Sequence, residues 1–264
     1  MTRQWRLIDS GPCSASYNMA LDEAVAQSVR RQDAPPTLRL YGWVRPSLSL
    51  GCFQKSAGLN LAFCRTNGIP VVRRPTGGRA ILHGEELTYS FSVRIDQPPF
   101  ARGLLDSYRN ISSAFCLAFK KIGIPVESKV TKEKGRVLTR SPLCFASSSY
   151  GEILMENRKI VGSAQKRWQE GLLQQGSIPY AYDAETMQHV FGIAGSGREH
   201  DSMISLRAVM PDIDDTALKK AVVAAFEEVF GISLPASCPS PEESHLAAEL
   251  QEQKYLQESW NLRL

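Results

Sequence analysis

The stretch from residue 73 to residue 83 reads Arg-Arg-Pro-Thr-Gly-Gly-Arg-Ala-Ile-Leu-His. Its adjacent glycines, Gly77 and Gly78, permit backbone conformations that a Cβ atom would obstruct, so main-chain N–H groups can turn toward a ligand. The arginines on either side can neutralise a phosphate or a carboxylate. An ordinary hairpin turn with solvated arginines has the same spacing, because the stretch is neither a P-loop nor a dinucleotide-binding fingerprint.

Helices and strands are mixed irregularly around this stretch. Patterns of period two predict strands, and apolar stripes with a period near 3.6 predict helices. The predicted strands cover 37–41, 47–51, 71–73 and 87–93, with a hairpin over 152–162. The predicted helices cover 16–31, 104–122, 214–230 and 241–260. Because no regular βαβ alternation appears, the pattern predicts the α+β class, with mixed or antiparallel β-sheets flanked by helices.

Capping residues indicate where these helices begin and end. Ser16 suits the N-cap of the first helix, and Asp22 falls early in it, where the helix dipole favours negative charge. An aspartate at 214 or 215 suits the start of a later helix. Gly123 and Gly231 suit the C-terminal ends of the second and third helices.

The chain has 264 residues, which suits one large domain or one domain with an appendage. The Ser-Cys-Pro-Ser-Pro stretch at 237–241 is the only boundary that composition indicates. We therefore predict a main domain over 1–236 and a helical tail over 237–264 that packs on it.

Composition narrows the class of protein. Hydrophobic residues make up 43% of the chain and the net charge is +4, with lysine and arginine scattered rather than banded. This favours a globular domain and argues against a nucleic-acid partner. No apolar run is long enough for a signal sequence or a membrane span, and no cysteine or histidine spacing suggests a metal site. We expect a monomeric cytoplasmic protein with reduced thiols.

Two further stretches carry candidate chemistry. Lys159 lies on the predicted hairpin before the small residues Gly162, Ser163 and Ala164. It is either a solubilising edge-strand lysine or a cation that polarises a carbonyl oxygen in a pocket. Cys144 lies in a loop of small residues ahead of the hairpin, where it is either a buried thiol or a nucleophile.

The order of these motifs resembles the biotin/lipoate protein ligase superfamily. The stretch 73–83 is similar to its arginine–glycine–glycine–histidine motif, and 158–165 to its catalytic-lysine motif. Segments 17–23 and 173–179 also fit, so the resemblance covers roughly residues 5–235. It implies the superfamily's catalytic-domain fold with a short helical C-terminal tail.

Within the superfamily, the octanoyl transferase branch related to lipoate-protein ligase A is the most similar. Cys144-Phe145 matches the position where that branch keeps its acyl-thioester cysteine. Gly84 follows His83, where many relatives have an aspartate, so no role is assigned to an acid at that position.

The resemblance implies an acyltransferase that places an octanoyl group on a protein lysine. Octanoyl-acyl carrier protein would be the donor, and a lipoyl carrier domain such as the glycine-cleavage H protein would be the acceptor. Cys144 and Lys159 would be catalytic. The substrate-binding residues would be Arg73, Arg74, Thr76, Gly77, Gly78, Arg79, His83, Gly162, Ser163 and Ala164. No metal or cofactor would be needed.

Three other functions fit the same motifs. An ATP-dependent lipoate-protein ligase would form a lipoyl-adenylate and need ATP and magnesium, with Cys144 incidental. An octanoyl amidotransferase would move the group between two carrier proteins. A non-catalytic lipoyl-binding protein would hold the ligand without turnover. Whether AMP appears during transfer separates the ligase from the transferases.

Overall fold

A computed structural model of the chain describes residues 3–128, 152–192 and 202–264. Its strands are β1 (Arg3–Gln4), β2 (Arg6–Cys13), β3 (Thr37–Trp43), β4 (Ser47–Leu50), β5 (Val71–Arg73), β6 (Ile81–His83), β7 (Glu86–Arg94), β8 (Glu127–Ser128), β9 (Ile153–Met155), β10 (Arg158–Arg167), β11 (Gly171–Pro179), β12 (Ile232–Ser233) and β13 (Ala236–Ser237). Its helices are α1 (Ala15–Arg31), α2 (Leu61–Thr66), α3 (Leu104–Lys121), α4 (Ala184–Phe191), α5 (Leu206–Val209), α6 (Asp215–Phe230), α7 (Pro241–Leu250) and α8 (Glu258–Asn261), with a π-helical turn at Gln251–Tyr255.

Eight strands form the main sheet, in the order β13-β2-β3-β7-β11-β10-β9-β8. The β13–β2 and β2–β3 pairs are parallel, and the remaining neighbours are antiparallel. A second sheet has three strands in the order β5-β4-β6. The segment 74–80, called the glycine stretch below, connects β5 to β6. Strand β1 pairs with β12 in a separate two-stranded sheet. The predicted α+β class with mixed sheets is confirmed.

Alternating side chains on β7 separate two buried layers. Leu87, Tyr89, Phe91 and Val93 belong to an apolar core that also contains α3 and α6. The intervening residues Thr88, Ser90 and Ser92 are polar yet buried, and Ser90 donates a hydrogen bond to Asp22 of α1. The main sheet is therefore covered on both faces, and the face under α1 is the polar one.

Most helix ends follow the capping predictions. Asp214 caps α6 and accepts a hydrogen bond from the Ala217 N–H, and Gly231 ends that helix in the left-handed conformation. The N-cap of α1 is Ser14 rather than the predicted Ser16, because the Ser14 hydroxyl accepts the N–H of Tyr17. The predicted helix over 241–260 is interrupted by the π-helical turn.

The C-terminal segment packs against α1. Arg6 and Glu243 form a buried pair with two hydrogen bonds of 2.8 and 2.6 Å, and Lys254 pairs with Glu23 at 2.7 Å. No helix in the described ranges is long and apolar enough to cross a bilayer. Among the same residues, no cluster of three or more His, Cys, Asp or Glu side chains could hold a metal ion.

Candidate active site

The glycine stretch is pressed against the end of β4. Gly78 has a φ of +88°, and a Cβ on Gly51 would lie 1.8 Å from the Gly78 carbonyl oxygen. The Cys52 N–H also donates to the Thr76 carbonyl at 2.8 Å. A bare backbone at position 51 is therefore needed for this approach, and it fixes the path of the stretch.

Arg74 holds the glycine stretch from inside. Its guanidinium donates to the carbonyls of Gly77 at 2.6 Å and Arg79 at 2.7 Å, and to both oxygens of Ser49 at 3.1 Å. The side chain is buried. Arg74 thus orders the loop, and its predicted contact with substrate stays a prediction.

Arg73 points the other way, into the scaffold. Its guanidinium donates to main-chain carbonyls of the 51–54 loop, at 2.8 Å to Gly51 and 2.6 Å to Gln54, and to the carbonyls of Trp260 and Asn261 at 3.2 Å. Its own N–H donates to the Asn261 side chain at 2.8 Å. The structure therefore places Arg73 as a tie between that loop and the C-terminal segment.

His83 is held on three sides. Its Nδ1 lies 2.9 Å from Glu86 Oε1, and its Nε2 lies 2.7 Å from Ser49 Oγ. Trp43 stacks on the imidazole with ring centroids 3.9 Å apart. The Glu86 carboxylate accepts a hydrogen bond from the Nδ1–H group, and Nε2 forms the second hydrogen bond with the Ser49 hydroxyl.

Glu86 is buried and still ionised more readily than an ordinary glutamate. Burial alone would raise its pKa, but the charge interaction with His83 and the hydrogen bonds from His83 and Thr88 outweigh burial and lower it. The indole of Trp43 donates to Thr88 at 2.7 Å and reaches Glu86 at 3.3 Å. The dyad of His83 and Glu86 is therefore a preorganised polar element in the interior.

A second buried network ties the glycine stretch to α1. Asp22 pairs with Arg39 at 2.7 Å, with both side chains fully buried. Gln175 donates to Asp22 at 2.7 Å and accepts the Thr76 hydroxyl at 2.7 Å. Asp22 is thus the anchor of this network, a role that the sequence did not predict, since it indicated only a favourable interaction of Asp22 with the helix dipole.

Lys159 is buried and ion-paired. Its Nζ lies 2.5 Å from Glu152 Oε1, with side-chain exposures of 2% and 8%. The register between β9 and β10 shifts between Lys159 and Val161, and both Ile160 and Val161 belong to the α3–α6 core. Because a bulge places two successive side chains on one face, we infer that Lys159 shares the opposite face with Gly162 and Ala164.

The small residues after Lys159 separate onto the two faces. Ser163 hydrogen-bonds the Tyr89 hydroxyl at 2.8 Å on the α3–α6 face, and Gln174 donates to the same hydroxyl at 2.9 Å. Burial raises the pKa of Tyr89 to about 12, against the effect of these bonds, so the hydroxyl stays protonated. Ala164 lies on the other face, beside Gln175 of β11.

Two spaces meet at His83. A narrow cavity of about 20 Å³ lies under α1, lined in part by Met19, Trp43, Arg74 and Ala164. A wider groove of about 340 Å³ opens on the far side. Ile81, His83 and Ser177 line both spaces and form the wall that separates them.

The predicted site residues fall into three groups. Arg74, His83 and Ala164 line the narrow cavity, and Thr76 reaches its wall through Gln175. Gly77, Gly78 and Arg79 form the partly exposed stretch that Arg74 holds. Arg73, Lys159, Gly162 and Ser163 are not among the lining residues of that cavity. Cys144 lies outside the described residues.

Sequence reasoning missed the partners of these residues. Glu86, Glu152, Asp22, Arg39 and Trp43 are buried polar or aromatic groups that hold the site. A charged residue within the apolar pattern of a strand or helix could have predicted such a buried group, because a charged side chain is rarely buried without a partner. The identity of each partner depends on sheet register and does not follow from spacing.

The structure has the fold of a lipoate-protein ligase. A lipoate-protein ligase A bound with ATP aligns with a TM-score of 0.83 at 22% identity, over 98% of each chain. A bipartite lipoate protein ligase from Thermoplasma acidophilum, described with its E2 lipoyl domain, aligns with a TM-score of 0.80 at 20% identity, over 98% of this chain and 96% of that one.

Sequence comparison narrows this class. The family model described as the lipoyl protein ligase A/B catalytic domain matches residues 14–227. The octanoyltransferase LipM of Kyrpidia tusciae is 38% identical over 273 residues, which cover 98% of this chain and 98% of that protein. The chain therefore belongs to the lipoyl protein ligase A/B catalytic domain family, as the motifs predicted.

Proposed function

We propose that this acyltransferase moves an octanoyl group from acyl carrier protein to a lysine of a lipoyl carrier domain, through a thioester on Cys144. The observation that carries the proposal is the 38% identity, over almost the whole chain, with a protein named octanoyltransferase. The buried Lys159 on a strand of small residues supports acyl chemistry at this site.

The proposed reaction has two balanced steps. Cys144 gives up its thiol proton and attacks the thioester carbonyl, and a new S–C bond forms. The C–S bond to the carrier breaks, and the carrier thiol leaves with the proton that Cys144 gave up. The acceptor amine then attacks the enzyme thioester, a C–N bond forms, the C–S bond breaks, and Cys144 recovers the proton that the amine loses. One thioester replaces another in the first step, so no ATP is required, and the amide product makes the second step favourable.

Lys159 would stabilise the oxyanion that develops in each step. An ammonium in a dry environment acts strongly on developing negative charge, because little water competes for it. Glu152 holds that ammonium at 2.5 Å and fixes its position on β10. Arg74 would act indirectly, by holding the glycine stretch beside the narrow cavity, which would be the acyl site.

The further parts of the proposal concern setting and partners. We propose a monomer that works in the cytoplasm with no metal or cofactor. A lipoyl domain as acceptor is supported by the Thermoplasma ligase, which is described together with its E2 lipoyl domain. The ligase alternative would add ATP and magnesium and would release AMP.

Intact-mass spectrometry of the pure protein tests the proposal. Wild type incubated with octanoyl-acyl carrier protein, without ATP, is expected to gain one octanoyl group that hydroxylamine removes. Cys144→Ser is expected to gain no hydroxylamine-sensitive adduct. If the wild type stays unmodified and the acceptor is acylated only with ATP and free octanoate or lipoate, the protein is a ligase.

A further inference from the structure

The groove beside His83 has the walls of a channel for a long, flexible side chain. Its lining combines apolar groups with carboxylates. The apolar groups are Pro46, Leu82, Pro179, Ala181 and Met187, and the carboxylates are Glu85, Glu86 and Asp183. Among the described residues that line it there is no lysine or arginine. A chain of methylenes that ends in a cation complements such walls in both shape and charge.

Asp183 supplies the negative charge at the groove that no ion pair described above neutralises. Glu85 pairs with Arg207, and Glu86 lies against His83. Asp183 instead caps α4, where it accepts hydrogen bonds from the Thr186 hydroxyl and N–H at 2.6 and 2.9 Å. These bonds orient the carboxylate but leave its charge available to an incoming cation.

The inner end of the groove has an unsatisfied polar atom. Ser177 Oγ is buried and lies close enough to Glu86 to help lower the pKa of that carboxyl. Within the described residues it nevertheless makes no hydrogen bond of good geometry. Ser177 lies on the wall shared with the narrow cavity, beside His83. A buried hydroxyl without a partner is costly unless a ligand supplies one.

We propose that this groove is the entry channel for the acceptor lysine, which reaches the acyl site past His83 and Ser177. The inference rests on the proposed function and specifies which surface receives the second substrate. The methylenes would lie along Leu82 and Ala181, and Asp183 would attract the ammonium as it enters. The amine would end beside Ser177, at the wall that adjoins the narrow cavity.

Gly84 offers a way to close the channel without disturbing the fold. It lines the groove, its backbone lies outside the left-handed region, and a Cβ placed on it meets no atom within 4 Å. A Gly84→Phe side chain would therefore occupy the groove. Ser113→Phe is the matched control, because Ser113 is exposed on α3 and lines no part of the groove.

The test separates the two half-reactions by rapid quench. For Gly84→Phe we expect kcat/KM for the acceptor domain to fall at least ten-fold. The rate of acylation by octanoyl-acyl carrier protein, and the discharge of the acyl-enzyme to hydroxylamine, should stay within two-fold of wild type. Ser113→Phe should match wild type in all three, and thermal melting checks the fold of both variants.

Two other outcomes for a folded variant overturn the inference. Slower acylation with normal acceptor transfer would assign the groove to the donor, and unchanged rates would show that it serves neither substrate. If Gly84→Phe does not fold, Gly84→Leu and the charge test below decide. If wild type itself forms no acyl-enzyme, it is the proposed function that fails.

Asp183 tests the charge separately. Asp183→Asn keeps a good N-cap but removes the charge, and Asp214→Asn makes the same change at the N-cap of α6, outside the groove. We expect the acceptor KM of Asp183→Asn to rise about three-fold at low salt, with the difference closing at about 1 M salt because ions screen exposed charges. An unchanged KM, or the same rise in Asp214→Asn, would contradict the role of Asp183.

Discussion

At the scale of single residues, the site depends on buried charges that are held in pairs. Three such pairs hold the candidate site, and each links residues from two segments of the chain. They are Asp22 with Arg39, Glu86 with His83, and Glu152 with Lys159. Removing one member of such a pair leaves an uncompensated buried charge, which typically costs about 3–5 kcal/mol. A single variant can therefore lose activity only because the protein is destabilised, and the tests below measure the two effects separately.

Lys159 is best tested by removing its whole ion pair. The double variant Lys159→Met with Glu152→Gln keeps the approximate volume of both side chains and removes both charges of the pair together, so we expect stability close to wild type. Octanoyl transfer should fall about 100- to 1,000-fold, because one oxyanion contact is lost. Transfer near the wild-type rate in the folded double variant would exclude Lys159 from the chemistry.

Glu86 gives a prediction about pH. Its pKa in the folded protein lies below the ordinary value, so its contribution to stability is present above the unfolded pKa of about 4.3 and is lost as the pH falls through the lower folded pKa. We expect Glu86→Gln to be about 1–3 kcal/mol less stable than wild type at neutral pH. The difference should shrink in acid below that value.

Urea denaturation at several pH values measures this effect. The control is Glu228→Gln, an exposed glutamate paired with Lys121, which should change stability by less than about 1 kcal/mol. A stability difference between Glu86→Gln and wild type that does not depend on pH would show that Glu86 acts through packing alone.

At the scale of elements, patterns within one segment were predictable and contacts between segments were not. The α+β class, α3, α6 and the β9–β10 hairpin follow from periodicity and from capping residues such as Asp214 and Gly231. The bulge at Ile160-Val161 does not, since it is a mismatch between two strands, yet it decides which face Lys159 occupies. The roles of the glycine stretch came from family resemblance rather than from spacing.

The approach of β4 to the glycine stretch gives an element-scale prediction. A Cβ on Gly51 would overlap the Gly78 carbonyl, so Gly51→Ala must push the two segments apart. We expect a loss of about 1–3 kcal/mol, typical of an overpacked interior, and at least a ten-fold loss of transfer activity.

Gly84→Ala is the matched control for that change. The new methyl group meets no atom within 4 Å, so melting temperature should stay close to wild type. Differential scanning calorimetry with a transfer assay makes the comparison. If Gly51→Ala and Gly84→Ala behave alike, the close backbone contact does not shape the site.

At the scale of the whole molecule, the C-terminal segment is part of the site's support. It reaches β2 through the pair of Glu243 with Arg6, α1 through the pair of Lys254 with Glu23, and the 51–54 loop through Arg73. The sequence predicted a helical tail at 237–264 that packs on the main domain. The contact of this tail with Arg73 could not be predicted, because Asn261 lies 188 positions after Arg73 in the sequence.

Asn261 tests this support at a distance from the groove. Its side chain accepts the Arg73 N–H and donates to the Tyr255 carbonyl at 2.9 Å, so Asn261→Ala leaves two buried groups unpaired. We expect a loss of about 1–3 kcal/mol and a lower transfer rate. Asn67→Ala, which removes one exposed bond to the Phe63 carbonyl, should be close to neutral in chemical denaturation and assay. Equal effects would contradict the supporting role.

The tie between Arg73 and Asn261 also sets an order of events during synthesis. Ribosomes add about 5–20 residues per second, so the 188 residues that follow Arg73 up to and including Asn261 take roughly 10 to 40 seconds to synthesise. Throughout that interval the arginine's partners at 260 and 261 do not yet exist. The segment around Arg73 therefore reaches its final contacts only after the domain core has been translated. A nascent chain stalled before Trp260 carries Arg73 without its C-terminal partners.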